Sequence, residues 1–224
     1  GRYQNHKDLM KFPDFGHSEL KFPKWKHIMK EEFLSKESIL KQIREKDKFI
    51  HVPYHSFDAY IRVLREAALH PDVKEIKTTL YRLANDSKVV KALVCAARNG
   101  KKVTAVVELL ARFDEKSNIK WSKRMQEEGI NVIYGVEGLK VHSKLLYIGS
   151  KKGNIACIGT GNFHEGNAKV YTDTVLIRIL SQQIRHIQQE NQNDKCSQQH
   201  RIPWNNGHCI VSRLPKQRAD CMPK

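Results

Sequence analysis

Two short stretches of this chain carry residue types suited to phosphoryl chemistry. The first is Gly138-Leu139-Lys140-Val141-His142-Ser143-Lys144-Leu145-Leu146-Tyr147-Ile148. As a strand it alternates sides, so His142 and Lys144 fall on one face and Val141, Ser143 and Leu145 on the other. An imidazole beside a fixed ammonium suits attack on phosphorus. The ring nitrogen is the nucleophile, and the lysine stabilises the charge that spreads over the equatorial oxygens. The second stretch is Gly159-Thr160-Gly161-Asn162, whose small residues let backbone N–H groups approach an anion. Arg82 and Arg112 each follow the C-terminal end of an expected strand, in Leu80-Tyr81-Arg82 and Leu110-Ala111-Arg112. Open α/β sheets bind ligands beyond that edge, and guanidinium groups grip phosphate oxygens in pairs.

Such groups need a sheet to hold them. From Lys36 the pattern turns helical, with Ile39, Leu40 and Ile43 apolar, and it ends in the charged run 44–48. Val52 precedes Pro53 and must leave the helical region. Ser56 reads as the N-cap of a second helix, whose stripe is Tyr60, Ile61, Val63, Leu64 and Ala67 until His70-Pro71 stops it. A strand over 73–81 follows, then a helix capped by Ser87 and ended by Gly100. A strand over 102–110, a helix over 115–128 and a strand over 130–134 complete a strand–helix–strand alternation. That order predicts right-handed βαβ units and a mainly parallel α/β sheet. Residues 144–148 and 154–158 read as a hairpin around Lys151-Lys152-Gly153, and 174–179 as a last strand.

The chain's formal net charge of +16 over 224 residues points to a polyanion: nucleic acid, a phosphate polymer, nucleotides or an acidic membrane surface. A solvated lysine-rich surface is the plainer explanation of the same charge. No apolar run approaches the roughly 20 residues needed to span a bilayer. Cys95 sits in an apolar helical pattern and Cys157 in an apolar strand, which suggests a reducing compartment. A cytoplasmic location is expected, peripheral contact with a membrane included. Residues 1–30 read as an irregular connector and 31–180 as one domain around the α/β pattern. Residues 181–224, rich in Gln, read as a divergent, poorly ordered tail. Cys196, His200, His208, Cys209 and Cys221 of that tail match no closed zinc site by spacing. The opening Gly1 suggests a piece of a longer protein.

Several blocks together resemble the type 1 polyphosphate kinase family. They are His51-Val52-Pro53-Tyr54-His55-Ser56-Phe57, Ile76 to Arg82, Val107 to Glu115, Gly138 to Lys144, Gly159 to Phe163, and Val170-Tyr171-Thr172-Asp173. The resemblance implies a phospholipase D-like fold in which paired half-sites each contribute a His-x-Lys-like motif. It places the family's phosphorylated histidine at His142, phosphorylated by ATP, and a nucleotide-pocket tyrosine at Tyr171. It places Arg82 and Arg112 at a magnesium–phosphate site. A guanidinium has no lone pair for Mg²⁺, so both are expected to bind the phosphate that the ion also binds. Lys144 and Asn162 are expected to stabilise and orient the phosphate.

The implied partners are ATP, ADP and inorganic polyphosphate. The family's N-terminal domain, helical domain and second C-terminal domain are not recoverable in this sequence, and the parent enzyme is expected to be a homo-oligomer. The isolated chain is therefore expected to be weakly active or inactive. The alternatives are a phospholipase D-like phosphodiesterase and a non-catalytic polyanion-binding domain. Gly149 stands where such phosphodiesterases carry an acidic residue, and no specific nucleic-acid motif is visible.

Overall fold

The computed structural model describes residue 13 and residues 15–23, 26–108, 115–135 and 140–180. The tail from 181 onward, with its cysteines and histidines, lies outside the described residues. So do residues 1–12 and Arg112.

Helix α1 (Ile39–Glu45) starts at the N-cap Ser38, whose Oγ accepts from Lys41 N–H at 3.1 Å. Helix α2 (Asp58–Leu69) buries Tyr60, Ile61, Val63, Leu64 and Ala67, the expected stripe. Its start departs from expectation. Phe57 occupies the N-cap position, and Ser56 Oγ instead accepts from Asp58 N–H at 3.2 Å, a local turn just ahead of the helix. Helix α3 (Lys88–Arg98) is capped by Ser87, whose Oγ accepts from Val90 N–H at 3.3 Å. It ends ahead of Gly100, at φ +72°, a conformation glycine adopts without strain. Helix α4 spans Glu115–Glu127. Among the described residues no helix is long and apolar enough to cross a membrane.

The strands are β1 (Lys48–Val52), β2 (Val73–Leu80), β3 (Lys102–Val107), β4 (Asn131–Tyr134), β5 (Lys144–Ser150), β6 (Ile155–Gly159) and β7 (Asp173–Ile179), in one sheet ordered β1-β7-β6-β5-β2-β3-β4. Parallel pairing is confined to β2–β3 and β3–β4, where helices make the crossovers. The other four contacts are antiparallel, so the sheet is mixed rather than mainly parallel. The reason lies in the connections: the short turn between β5 and β6 can join only antiparallel neighbours. Strand β1 has no counterpart in the sequence reading, because the charged run before it looked like the end of a helix.

The helices form a layer in which α1 touches α2, α2 touches α3 and α3 touches α4. Under them Ile50, Ile76, Ile148, Ile155 and Ile177 are fully buried in a single core. Tyr60, also fully buried, stacks on Phe163 with ring centroids 4.5 Å apart. Phe163 immediately follows Asn162, so a buried aromatic ring anchors the Gly-rich loop; burying such a ring contributes about 1.5–3 kcal/mol. The opposite face of the sheet is more open. Phe49, Leu176, Ile158 and Leu145 form a row across β1, β7, β6 and β5, and Phe49 and Ile158 remain 45% and 48% exposed.

Candidate phosphoryl-transfer site

Strand β5 opens at Lys144, whose register partner is Gly159 at the end of β6. The Lys144 side chain enters the helix-covered side of the sheet and is only 8% exposed. Its Nζ donates to the backbone oxygen of His142, which bends the ammonium back toward that residue. Burial lowers the Lys144 pKa below the ordinary 10.5, and the Asp173 carboxylate opposes that shift. His142 is exposed and lies ahead of the strand. The expected alternation therefore does not reach it: His142 and Lys144 do not share a pleated face, because regular pairing begins only at Lys144.

What unites them is Tyr81, just past the end of β2. The His142 ring meets the Tyr81 ring edge-on, with centroids 5.4 Å apart and planes at 78°. Lys140 Nζ, Lys144 Nζ and Arg82 Cζ lie 5.5, 5.7 and 5.8 Å from the same ring centroid. An electron-rich aromatic face offsets part of the repulsion among cations so placed. Strand β2 is stitched to the segment carrying His142 by Thr79, whose Oγ1 donates to Ser143 O at 2.6 Å and accepts from Leu145 N–H at 3.0 Å.

Two buried polar side chains brace this edge. Asn118 of α4 is fully buried; its Oδ1 accepts from Leu83 N–H at 3.0 Å, and its Nδ2 donates to Tyr81 O at 2.9 Å and Glu108 O at 2.8 Å. Glu108, 8% exposed at the end of β3, accepts from Val141 N–H at 3.1 Å. Neither stands out in sequence. Asn118 falls in a helix of polar sequence, and Glu108 follows an apolar β-branched run with nothing in its spacing to mark it.

On the other side of Lys144 the loop after β6 is tightly built. Thr160 Oγ1 donates to Asp173 Oδ1 at 2.8 Å and accepts from Thr174 N–H at 2.9 Å. A Cβ on Gly161 would lie 2.0 Å from Asp173 Oδ2, so only glycine fits without displacing that carboxylate. Asn162 Oδ1 is buried and has no hydrogen-bond partner among the described residues. Tyr171 is 59% exposed in the loop before β7. The structure thus gathers His142, Lys144 and Arg82 at Tyr81 and sets the Asn162 loop beside Lys144.

Beside the His142 imidazole, the groups gathered at the Tyr81 ring are the cations Lys140, Lys144 and Arg82. Lysine and arginine have no lone pair for a metal, so this edge suits phosphate oxygens and not a protein-held Mg²⁺. Among the described residues no group of three His, Cys, Asp or Glu side chains could hold a metal ion.

A helix-covered mixed sheet with a His-x-Lys segment at its centre defines a phospholipase D-like α/β domain. The crystal structure of Nuc, a phospholipase D family member from Salmonella typhimurium, shares this fold at TM-score 0.52 and 16% identity, covering 68% of this chain and 95% of that one. The polyphosphate kinase of Porphyromonas gingivalis superposes at TM-score 0.68 with 36% identity, over 92% of this chain and 35% of that chain. The family described as polyphosphate kinase C-terminal domain 1 matches residues 38–192, and the chain belongs to the polyphosphate kinase family. Polyphosphate kinases of Salmonella typhimurium and Escherichia coli K12 are 45% and 44% identical over 186 and 184 residues, 79% of this chain in each case. The chain spans about a quarter, 27%, of those relatives' length.

Proposed function

We propose that this chain carries the nucleophile half-site of a polyphosphate kinase. A ring nitrogen of His142 attacks the γ-phosphorus of ATP. The N–P bond forms as the bond to the β,γ-bridging oxygen breaks, and ADP leaves with that electron pair. The phosphoryl group then passes to a terminal oxygen of inorganic polyphosphate, freeing the imidazole, and both steps are reversible. Lys144, Lys140 and Arg82 offset the charge on the transferring group, with Arg112 in the same role. Asn162, in the loop beside Lys144, orients the phosphate. Tyr171 serves the nucleotide base, and Mg²⁺ arrives with ATP as part of the substrate. One observation carries this reading: an exposed imidazole held against a ring that also collects three cations.

The net charge of +16 suits a product bearing about one negative charge per phosphate. Because the chain spans 27% of its relatives, the remaining groups of the site belong to other domains of a longer, oligomeric enzyme, cytoplasmic or peripheral to a membrane. Alone, it binds phosphate compounds with little turnover. Gly149 speaks against the phosphodiesterase alternative, since a Cβ there would lie 2.6 Å from Glu75 Cγ and leaves no room for an acidic side chain.

The test is incubation with γ-labelled ATP. An acid-labile, base-stable phosphate on His142, absent from His142→Ala with ATP binding retained, supports the kinase. Labelling that persists in that variant would move the nucleophile elsewhere. Polyphosphate binding without labelling in the chain or its full-length parent would leave a polyanion-binding domain. Robust polymer synthesis by the chain alone would sink the half-site claim.

A further inference from the structure

His142 stands at a place where the sheet does not hold it. Ladder pairing begins at Lys144, ahead of which the His142 imidazole meets the Tyr81 ring in an edge-type contact. Its backbone is nevertheless bracketed by two side chains from neighbouring strands. On one side Val141 N–H donates to Glu108 Oε2 at 3.1 Å, and on the other Ser143 O accepts from Thr79 Oγ1 at 2.6 Å. Glu108 is rigidly seated: its own N–H donates to Leu80 O at 3.0 Å, and its carbonyl accepts from the fully buried Asn118 at 2.8 Å. A carboxylate 8% exposed is costly to bury, and a charge-assisted bond to a backbone N–H is stronger than a neutral one.

We propose that Glu108 is a positioning residue for His142, its carboxylate fixing the backbone at Val141 so that the imidazole is held against the Tyr81 ring. The inference deepens the phosphohistidine reading and rests on it for its catalytic consequence. Its geometric content does not. A nucleophile misplaced by about 1 Å loses on the order of 10²-fold in rate, so the brace governs the rate of phosphoryl transfer and not the affinity for ATP.

The test uses the full chain with isotope-labelled histidine. In the wild type the His142 ring protons are displaced by the Tyr81 ring current, and Tyr81→Leu abolishes that displacement. Glu108→Leu is expected to abolish it too, and to slow labelling by γ-labelled ATP on the order of 10²-fold at unchanged ATP binding. Glu108→Gln, which keeps an acceptor at the same reach, restores both. The proposal is overturned if folded Glu108→Leu keeps the wild-type ring-proton shifts, or if folded Glu108→Gln fails to restore them. Should Glu108→Leu not fold, hydrogen exchange of the wild-type Val141 amide decides: protection supports the bond, and exchange at an open-chain rate refutes it. A wild-type chain that shows the ring-current pattern but no labelling defeats the phosphohistidine reading and leaves the positioning intact. Normal labelling that is insensitive to Glu108→Leu does the reverse.

Discussion

β2 and β3 end in Tyr81, Arg82 and Glu108, side chains that grip charge or brace their neighbours. The antiparallel strands contribute differently: β5 opens at Lys144 directly after His142, and β6 runs out into the Asn162 loop. The parallel half is held from behind by α3 and α4, with Asn118 inserted between strand ends. The antiparallel half is held by the loop after β6, through Thr160 on Asp173 and through Phe163 stacked on Tyr60 of α2. One half is therefore a scaffold that supplies the Tyr81 ring, and the other carries the proposed nucleophile. They meet along the β2–β5 pairing, where Thr78 Oγ1 donates to Leu145 O at 3.0 Å.

That division can be attacked from either side. The largest effect is expected for Lys144→Met, which should cut phosphoenzyme formation by roughly 10²–10³-fold, the loss typical of removing one preorganised charge partner. Its effect on stability has the opposite sense. Burial holds the Lys144 pKa below 10.5, so the unfolded chain binds that proton more readily, and the ammonium costs stability at neutral pH. The variant should melt no lower than wild type at pH 7, with the difference closing as pH rises toward 10.5. A variant that melts far lower would show Lys144 to be a structural ion. On the parallel side, Asn118→Leu strands three backbone groups and should destabilise by about 3 kcal/mol in urea melts.

Gly161→Ala comes next. Its Cβ must push Asp173 aside, at a cost of about 1–3 kcal/mol, and Asn118→Leu and Gly161→Ala should be additive in denaturant because they act on separate halves. Glu165 ties the two halves together: from the loop after β6 its carboxylate accepts from Lys88 N–H at 2.6 Å and Val89 N–H at 3.2 Å at the start of α3. Glu165→Ala should cost about 1 kcal/mol, detectable as a lowered melting temperature, with phosphoenzyme labelling retained. The smallest effect concerns Cys157, whose thiol is pushed up by complete burial. Alkylation followed by mass spectrometry should leave it unmodified until the sheet unfolds.

Much of this was readable from residues. Ser87, Gly100 and the apolar spacing of α3 declare a helix between two strands, because local capping and periodicity decide it. His142, Lys144 and Asn162 stand in motifs whose chemistry is stated by residue type. Strand β1 was hidden because Lys48 and His51 look polar, and its pairing with β7 is a contact between residues far apart in the chain. The roles of Tyr81, Glu108 and Asn118 were hidden for a similar reason. A ring that collects cations, or an amide that bridges the ends of two strands, exists only once distant segments converge. The alternation that was to put His142 and Lys144 on one face assumed a strand that in fact starts two residues later.

The β2–β5 pairing has one more consequence, and it concerns time rather than geometry. Thr78 and Leu145 meet across 67 positions of sequence, whereas the strand–helix–strand units of the other half close over much shorter spans. Long-range closure is entropically slow, and local units form first. During refolding, the far-ultraviolet signature of α3 and the parallel strands should return before the Tyr81 ring current reappears on His142. A cell making this chain would hold a shaped but unarmed domain until the last loop closed.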